Sequence, residues 1–461
     1  MSTPSTIAPA GPAPRVPPVV PGSALLGSAR DLRRDMLAAC ERAFHDYGDV
    51  VRFQAGPPGR RLELALVFHP GGAHRVLAGA AANYRKDNVF YREIRGAFGD
   101  GLLTSQDEQW QRQKRFLQPL FTSRRVAGYA DAMSDQVGEL VRRWRLAPSR
   151  ELDLHDQMTR LTLRIVCRIL FGGDVERVLP VVQRSFGPLG EAVRRRAMAP
   201  LRPPVGWPTP VNWRLARAQL ALYEVCDQII ARRRASGSGG ERDLVGLLLA
   251  ARDDGSRLSD AEIRDQVLIF LLAGHETTST ALTFTIDLLG RHPEVQRRVR
   301  AEVDEVLGDR TPTARDVPAL ALTTRVLKEA MRLYPSAPLI GRMAVADDEL
   351  CGYRIPARSN LAVVPWVIHR HPGFWDEPGR FDPERFTPER EKARHHYAWL
   401  PFGGGPRGCI GQHFSMLESA IALAMLVRDF EFTAPAAGPR YTNHITLRPT
   451  SGVPSRVSPR R

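Results

Sequence analysis

Cysteine is scarce in this 461-residue sequence, and none of it is paired. Cys40, Cys167, Cys226, Cys351 and Cys409 are scattered, odd in number and never arranged as CxxC. That excludes a disulfide framework and a zinc ribbon, and it fits a reducing, cytoplasmic setting. The N-terminus lacks the basic and apolar regions of a signal peptide, so no export is expected. Nowhere are there ~18 uninterrupted apolar residues, the length of a membrane span. The nearest approach, Val267 to Leu289, is broken by "HETTST" and is expected to be a buried core helix, not a transmembrane anchor. Negative charge is in deficit: 65 Lys and Arg stand against 50 Asp and Glu, a net charge of +15. Arginine clusters such as "VRRWR" (141–145), "VRRRA" (193–197) and "ARRRA" (231–235) supply much of the excess. No helix-turn-helix, zinc finger or RNA-binding signature accompanies them, which argues against a nucleic-acid partner. What is left is a solvated basic face, or a docking surface for an acidic protein.

The bulk composition, 43% hydrophobic and 25% charged, is that of a soluble globular protein with a sizeable core. Residues 1–22 differ. They hold seven prolines, almost no charge and no amphipathic period, and are expected to form a disordered or polyproline leader. From 23 to 461 there is no clear linker and no internal repeat, so one large domain is expected. "VVRFQAGPPGRRLELALVF" (50–68) reads as two short strands around a turn. From about Gln106 to Leu289 the pattern is almost wholly helical, with breaks at "RPPVGWPTPVNW" (202–213) and "SGSGG" (236–240). A second strand-rich patch covers 342–369, and an irregular proline-punctuated stretch follows at 371–390. The fold class is therefore mainly α with small β-sheets.

Two helices are delimited by their ends. Ser259 and Glu262 have capping-box spacing, and apolar residues continue to Leu289 before Gly290 and a His-Pro stop. At 1.5 Å per residue that helix is roughly 45–50 Å long, enough to cross the domain. A shorter one starts near Pro318 and ends before Pro335.

Three segments carry chemistry. "AGHETTST" (273–280) places weak helix formers in the middle of the long helix. His275 and Glu276 evoke the zinc-protease motif HExxH, but the second ligand position holds Ser279, so that reading fails. Two readings stay open: a polar seam between packed helices, or a kinked helix lining a pocket in which Glu276 and Thr277 relay protons. "KEAMR" (328–332) sets Glu329 and Arg332 on one helical face, by itself a common surface pair. "FGGGPRGCIG" (402–411) suits neither helix nor strand. A lone cysteine is usually an inert buried thiol. Here Gly403, Gly405 and Gly408 can bring backbone N–H groups close to the sulfur, and a helix start follows. Arg407 suits a carboxylate nearby, so the loop fits a soft metal carrying an acidic ligand.

"FGGGPRGCIG" resembles FxxGxRxCxG, the haem-binding signature of the cytochrome P-450 superfamily, the haem-thiolate monooxygenases. "AGHETT" resembles the family's oxygen-activation motif, "EAMR" its ExxR pair, and Arg385 in "FDPERF" the third member of that network. "WQRQK" (110–114) is similar to the propionate-binding pattern, and "PPVVPG" to the proline hinge of membrane-bound relatives, here without a preceding anchor. The resemblance covers residues 23 to 461 and implies haem b as cofactor. Cys409 would be the axial thiolate, with Phe402 packed beside the sulfur and Gly411, the signature's last residue, also at the cofactor. Trp110, Lys114, Arg342 and Arg407 would hold the propionates, Lys114 standing where arginine or histidine is common. Glu276 and Thr277 would be catalytic, delivering protons to dioxygen. Glu329, Arg332 and Arg385 would be structural.

The implied reaction inserts one oxygen atom into a hydrophobic small molecule of terpenoid, polyketide or fatty acyl class. Substrate-facing positions by resemblance are Val89 to Leu103, the region 202–213, Leu268 to Ala273 and Ser336 to Ile340. No flavin or iron–sulfur module is fused, so electrons are expected from a separate ferredoxin and ferredoxin reductase. Arg112, Arg115, Arg124 and Arg125 are the docking candidates. The rival readings are a haem-thiolate peroxygenase or isomerase, against which the Glu276–Thr277 pair argues, and a non-catalytic haem sensor.

Overall fold

The computed structural model describes residues 14–460, apart from 148, 172–174, 198–203, 205, 236–242, 251–256 and 444. The helices that position the site are α1 (Ala29–Tyr47), α2 (Val89–Phe98), α3 (Asp107–Leu117), α4 (Ala130–Leu146), α5 (Leu154–Phe171), α6 (Val175–Ala197), α7 (Pro210–Ala235), α8 (Asp260–Arg291), α9 (Ala321–Leu333) and α10 (Gln412–Asp429).

The axis of the molecule is α8. Its start is fixed by a reciprocal cap: Ser259 N donates to Glu262 Oε2 at 2.8 Å, and Glu262 N donates to Ser259 Oγ at 3.2 Å. Apolar residues on all sides mean that it is buried by other helices rather than by one neighbour. Among the described residues it is the one helix long and apolar enough to cross a membrane, and 78% of its apolar window lies inside the protein. α5 packs along it at Gly274, where a Cβ would stand 3.0 Å from Val166 Cγ2. The weak helix former there admits a close neighbour, and α8 is continuously helical through it. α10 packs against α4, α8 and α9. The second expected helix, near 318–335, is α9, ending at Leu333.

A five-stranded sheet flanks the helices. In chain order its strands are β1 (Val50–Ala55), β2 (Leu62–Val67), β3 (Tyr84–Arg85), β4 (Ile340–Ala344) and β5 (Asn360–Val363), arranged β1-β2-β5-β4-β3. Only β2 and β5 run parallel. In the β1–β2 hairpin Val50 faces Val67 across the pair, as the alternation at 50–68 predicts.

The leader expected over 1–22 is corrected at its C-terminal end. Val20 N donates to Arg52 O and Arg52 N to Pro18 O, both at 2.8 Å, while Arg15 exchanges bonds with Gly352 and Arg354. Proline lacks a donor but keeps its carbonyl and an extended backbone, so a proline-rich segment can still lie along a sheet edge. Residues 1–13, and the "SGSGG" break, lie outside the described residues. The arginine clusters are also less bare than their sequence implies. Arg194 and Arg195 pair with Glu191, Arg196 with Glu93 at 2.7 Å, Arg233 with Asp243 at 3.0 Å, and Arg145 with Asp429.

Candidate active site

A cavity of about 330 Å³ lies between α8, α2, β4 and the 401–411 loop. The loop makes its floor. Gly403 and Gly405 have φ of +68° and +64°, and a Cβ on Gly405 would fall 1.8 Å from Leu77 O, so no other residue fits there. Gly408 needs no such freedom, with φ of −60°. Cys409 N donates to Phe402 O at 2.9 Å, which closes the turn one residue before Ile410 and two before α10's cap at Gly411. The Cys409 side chain is open to the cavity. Burial raises its thiol pKa above the usual range, more than the Gly411 N–H and the Lys86 charge lower it. The Gly411 N–H favours the thiolate, as the sequence leads one to expect, and a coordinating metal would displace the proton.

One rim of the cavity is cationic. Arg407 lies over the Trp110 ring at 4.4 Å and donates to Ser105 O at 2.8 Å, while its Nε has no hydrogen-bond partner. Burial, then the Arg342 charge, lowers the Arg407 pKa to about 10. Arg342 is buried on β4 and donates to Gly341 O at 2.8 Å and to the Tyr91 hydroxyl oxygen. Lys114 sits 5.1 Å from the Trp110 ring and donates to Pro406 O at 3.0 Å. The structure adds Lys86, which sequence reasoning missed: it is buried, lines the cavity and faces Arg407 and Arg342. A lysine after a two-residue strand carries no periodicity, so only the tertiary fold reveals it. Among the described residues, no Asp or Glu lines the cavity beside these four cations. Buried positive charge without a counter-charge is strongly unfavourable, so the donor set fits a ligand bearing carboxylates. With a sulfur on the floor and apolar walls above, the residues fit haem.

The walls come from three of the four expected stretches. They include Phe90, Tyr91 and Ile94 on α2, Ile269 and Ala273 on α8, and Ser336 to Ile340 apart from Pro338. The fourth, 202–213, is corrected. Residues 202, 203 and 205 lie outside the described residues, and the rest do not line the cavity. Trp207 and Trp213 are 61% and 63% exposed, because Asn212 pins this turn to Pro204 O and Trp207 O while the rings face outward. Val166 on α5, with Ile445 and Thr446, takes its place in the lining.

Thr277 lines the cavity and donates to Ala273 O at 2.7 Å. Glu276 does not line it; its carboxylate lies 3.8 Å from Arg448. Its side chain points toward Arg448 rather than into the cavity, so it reaches the space that Thr277 faces only by a side-chain swing. Below the floor, Glu329 accepts from Arg332 at 2.7 and 2.8 Å, both fully buried, and from Asp382 N at 2.9 Å. Arg332 also donates to the carbonyls of His369, Pro378 and Arg380. Arg385 stands farther off, with Nε 3.5 Å from Glu329.

Of the docking candidates, Arg112 donates to Glu262 at 2.5 Å and Arg257 O at 2.9 Å, tying α3 to the start of α8. Arg115, Arg124 and Arg125 are exposed. A second concavity of about 570 Å³ reaches Cys409 from the other side, lined by Lys114, Gln118, Ser123, His396 and His413 among others, again without a carboxylate.

Comparison with known proteins agrees with this geometry. The family model described as Cytochrome P450 matches residues 14–453. The chain is 37% identical over 415 residues to cyclooctatin synthase of Streptomyces melanosporofaciens, covering 88% of this chain and 89% of that protein. It is 36% identical over 383 residues to cyclooctat-9-en-7-ol 5-monooxygenase of the same organism (82% of each), and 33% over 391 residues to pentalenene oxygenase of Streptomyces avermitilis (84% and 85%). Among solved structures, the cytochrome P450DA heme domain superposes with a TM-score of 0.87 at 31% identity, covering 98% of each chain. The cysteine floor, the cationic rim and the long helix above them are thus those of a haem-dependent monooxygenase, and the chain belongs to the cytochrome P450 family.

Proposed function

We propose that the protein oxygenates a terpenoid hydrocarbon or alcohol, with electrons from a separate ferredoxin and its reductase, in the cytoplasm. The observation that carries this reading is the division of one cavity into a cysteine floor, a cationic rim and an apolar wall with no carboxylate. The terpenoid class is supported by the names of the relatives, a cyclooctatin synthase, a cyclooctat-9-en-7-ol 5-monooxygenase and a pentalenene oxygenase.

Haem b, when bound, supplies the activation of dioxygen and the transfer of one oxygen atom to a C–H bond or alkene. The chain does the rest. Cys409 would ligate the iron, with the Gly411 N–H tempering its charge and Phe402 shielding it. Trp110, Lys114, Arg342 and Arg407 would hold the propionates. The aliphatic walls exclude water and orient a substrate through shape. Thr277 holds a proton at its hydroxyl, which leaves the Ala273 carbonyl to serve the cavity. Glu276 replenishes it after turning from Arg448. Arg115, Arg124 and Arg125, beside the 570 Å³ concavity, would receive the acidic ferredoxin.

The test is a binding-spectrum screen of the haem-loaded protein across terpenes, polyketides and fatty acids, followed by turnover with ferredoxin, its reductase and NADPH. A terpene should shift the haem spectrum and gain one oxygen atom. A response confined to fatty acids would overturn the substrate class. Product formed from peroxide alone, and none with ferredoxin, would favour the peroxygenase reading instead.

A further inference from the structure

Three histidines outside the cavity stand where a turn or a helix start ordinarily carries Asp, Asn or Ser. Each uses its ring Nδ1 to accept the backbone N–H two residues on: His69 from Gly71 at 3.0 Å, His371 from Gly373 at 3.0 Å and His395 from Tyr397 at 3.1 Å. A backbone N–H only donates, so each Nδ1 must be bare for its turn to close. The rings meet around Phe374, with centroids 5.3, 5.0 and 6.2 Å from it in that order. Two of the turns support the floor of the cavity. The His69 turn starts the short helix Pro70–His74, which leads on to Leu77, whose carbonyl occupies the space where Gly405 would carry a Cβ. The His395 turn sets Tyr397, whose ring does the same at Gly404, 2.6 Å from where a Cβ would stand. The titratable groups facing the set are Asp49, which accepts from His371 Nε2 at 3.1 Å, Cys351 near Asp49, and His74 and His396, whose rings meet Tyr397. Burial, then the charges of His69, His74 and His396, hold the His395 pKa below its ordinary value.

We propose that His69, His371 and His395 form an acid-sensitive lock on the cavity floor, closed while their Nδ1 atoms are bare and released when the rings take protons. Protonation turns Nδ1 from acceptor to donor, so the ring then opposes the backbone N–H that it had received. A proton on one ring also sets a positive charge beside the other two. Asp49 offsets that charge at His371, whereas the charged groups acting on His395 are all histidines, which makes His395 the most sensitive member. An open turn takes a proton more readily than a closed one. The lock is therefore fully closed above the ordinary histidine range, about 6.5, and weakens as pH falls through it. Release at His69 frees Leu77 O from Gly405, and release at His395 frees Tyr397 from Gly404. The floor then loosens with no chemical change at the sulfur.

The experiment follows amide hydrogen exchange of the haem-loaded protein from about pH 7.5 to about pH 5.5, with each rate corrected for the intrinsic pH dependence of exchange. Wild type is compared with His395→Asn and with the double variant His69→Asn/His395→Asn. Asparagine accepts the same N–H through its side-chain carbonyl but takes no proton. In wild type, protection over 69–79 and 395–408 should fall by roughly tenfold per pH unit below about 6.5, while α8 keeps its protection. The double variant should hold both segments flat, and His395→Asn should flatten 395–408 more than 69–79. Should the double variant fail to fold, His395→Asn supplies the comparison. Wild-type protection that does not change with pH would overturn the lock, as would an equal fall in the variant that folds. An equal fall over α8 would mean that acid unfolds the whole molecule, and a local lock would be ruled out.

Discussion

Below Cys409 and above the cavity, the molecule is held by different means. Below, one fully buried pair, Glu329–Arg332, gathers three backbone carbonyls and the Asp382 N–H around itself, so side-chain charge fixes the path of the main chain. Above, α2, α6 and α7 meet through side-chain clasps: Arg196 joins Glu93 and Asn212, each at 2.7 Å, and Gln219 reaches Gly96 O at 3.0 Å. α6 also contains Pro180 and Pro188, each of which removes a helical hydrogen bond. A floor built for one cofactor is braced through the backbone. The roof over the apolar cavity is joined by separate side-chain contacts instead.

The comparison is broken most completely at the sulfur. Cys409→His should retain haem yet lose the red-shifted Soret band of the reduced carbon monoxide complex; persistence of that band would remove Cys409 as ligand. Next comes the brace. Arg332→Ala strands Glu329 without its bidentate partner and should cost about 3–5 kcal/mol, appearing as haem-free or aggregated protein. Arg385→Ala leaves that pair intact, and its 3.5 Å contact should make it the milder of the two in denaturant titration. Equal losses would mean that the three residues act as one unit. Thr277→Ala should leave haem content and NADPH consumption near normal while product per NADPH falls by roughly tenfold or more and hydrogen peroxide rises. Ordinary coupling there would restore the polar-seam reading of α8.

The roof and the surface give the smaller effects. Arg196→Met should unclasp α2 from α6 and weaken substrate binding while the reduced carbon monoxide spectrum stays unchanged; a lost spectrum would show that the roof also braces the floor. Arg112→Ala removes a half-exposed pair and should change stability by only ~0.2–1 kcal/mol, with no change in the KM for ferredoxin. Arg124→Glu should raise that KM.

Legibility in the sequence divides along the same line. The floor is written locally: a glycine-rich turn with a cysteine, an i,i+3 pair, a capped apolar helix. Each is a spacing within one element, although the spacing of Glu329 and Arg332 alone reads as a surface pair and the structure buries both completely. The rim was half legible, since Trp110, Lys114, Arg342 and Arg407 fall in motifs whereas Lys86 owes its role to a strand order that brings β3 beside β4. The roof was least legible. The region 202–213 was expected at the substrate by resemblance alone, but Trp207 and Trp213 are exposed, on a turn held by Asn212 through contacts that no local pattern encodes. Glu276 shows the same limit at a single residue: of the two neighbours of Thr277, Thr278 lines the cavity while Glu276 lies beside Arg448, a partner far away in sequence.

The pairing of Arg15 to Val20 with the sheet bears on how the chain is handled at the bench. Trimming everything before Ser23 as dispensable would strip a cover from β1 and leave the Arg52 N–H and carbonyl facing solvent. Bare strand edges of this kind template intermolecular pairing, so a chain shortened to residue 23 should oligomerise on concentration, whereas one beginning at Pro14 should not. An affinity handle belongs on the far side of that boundary, where it adds length to the tail without prising the edge open.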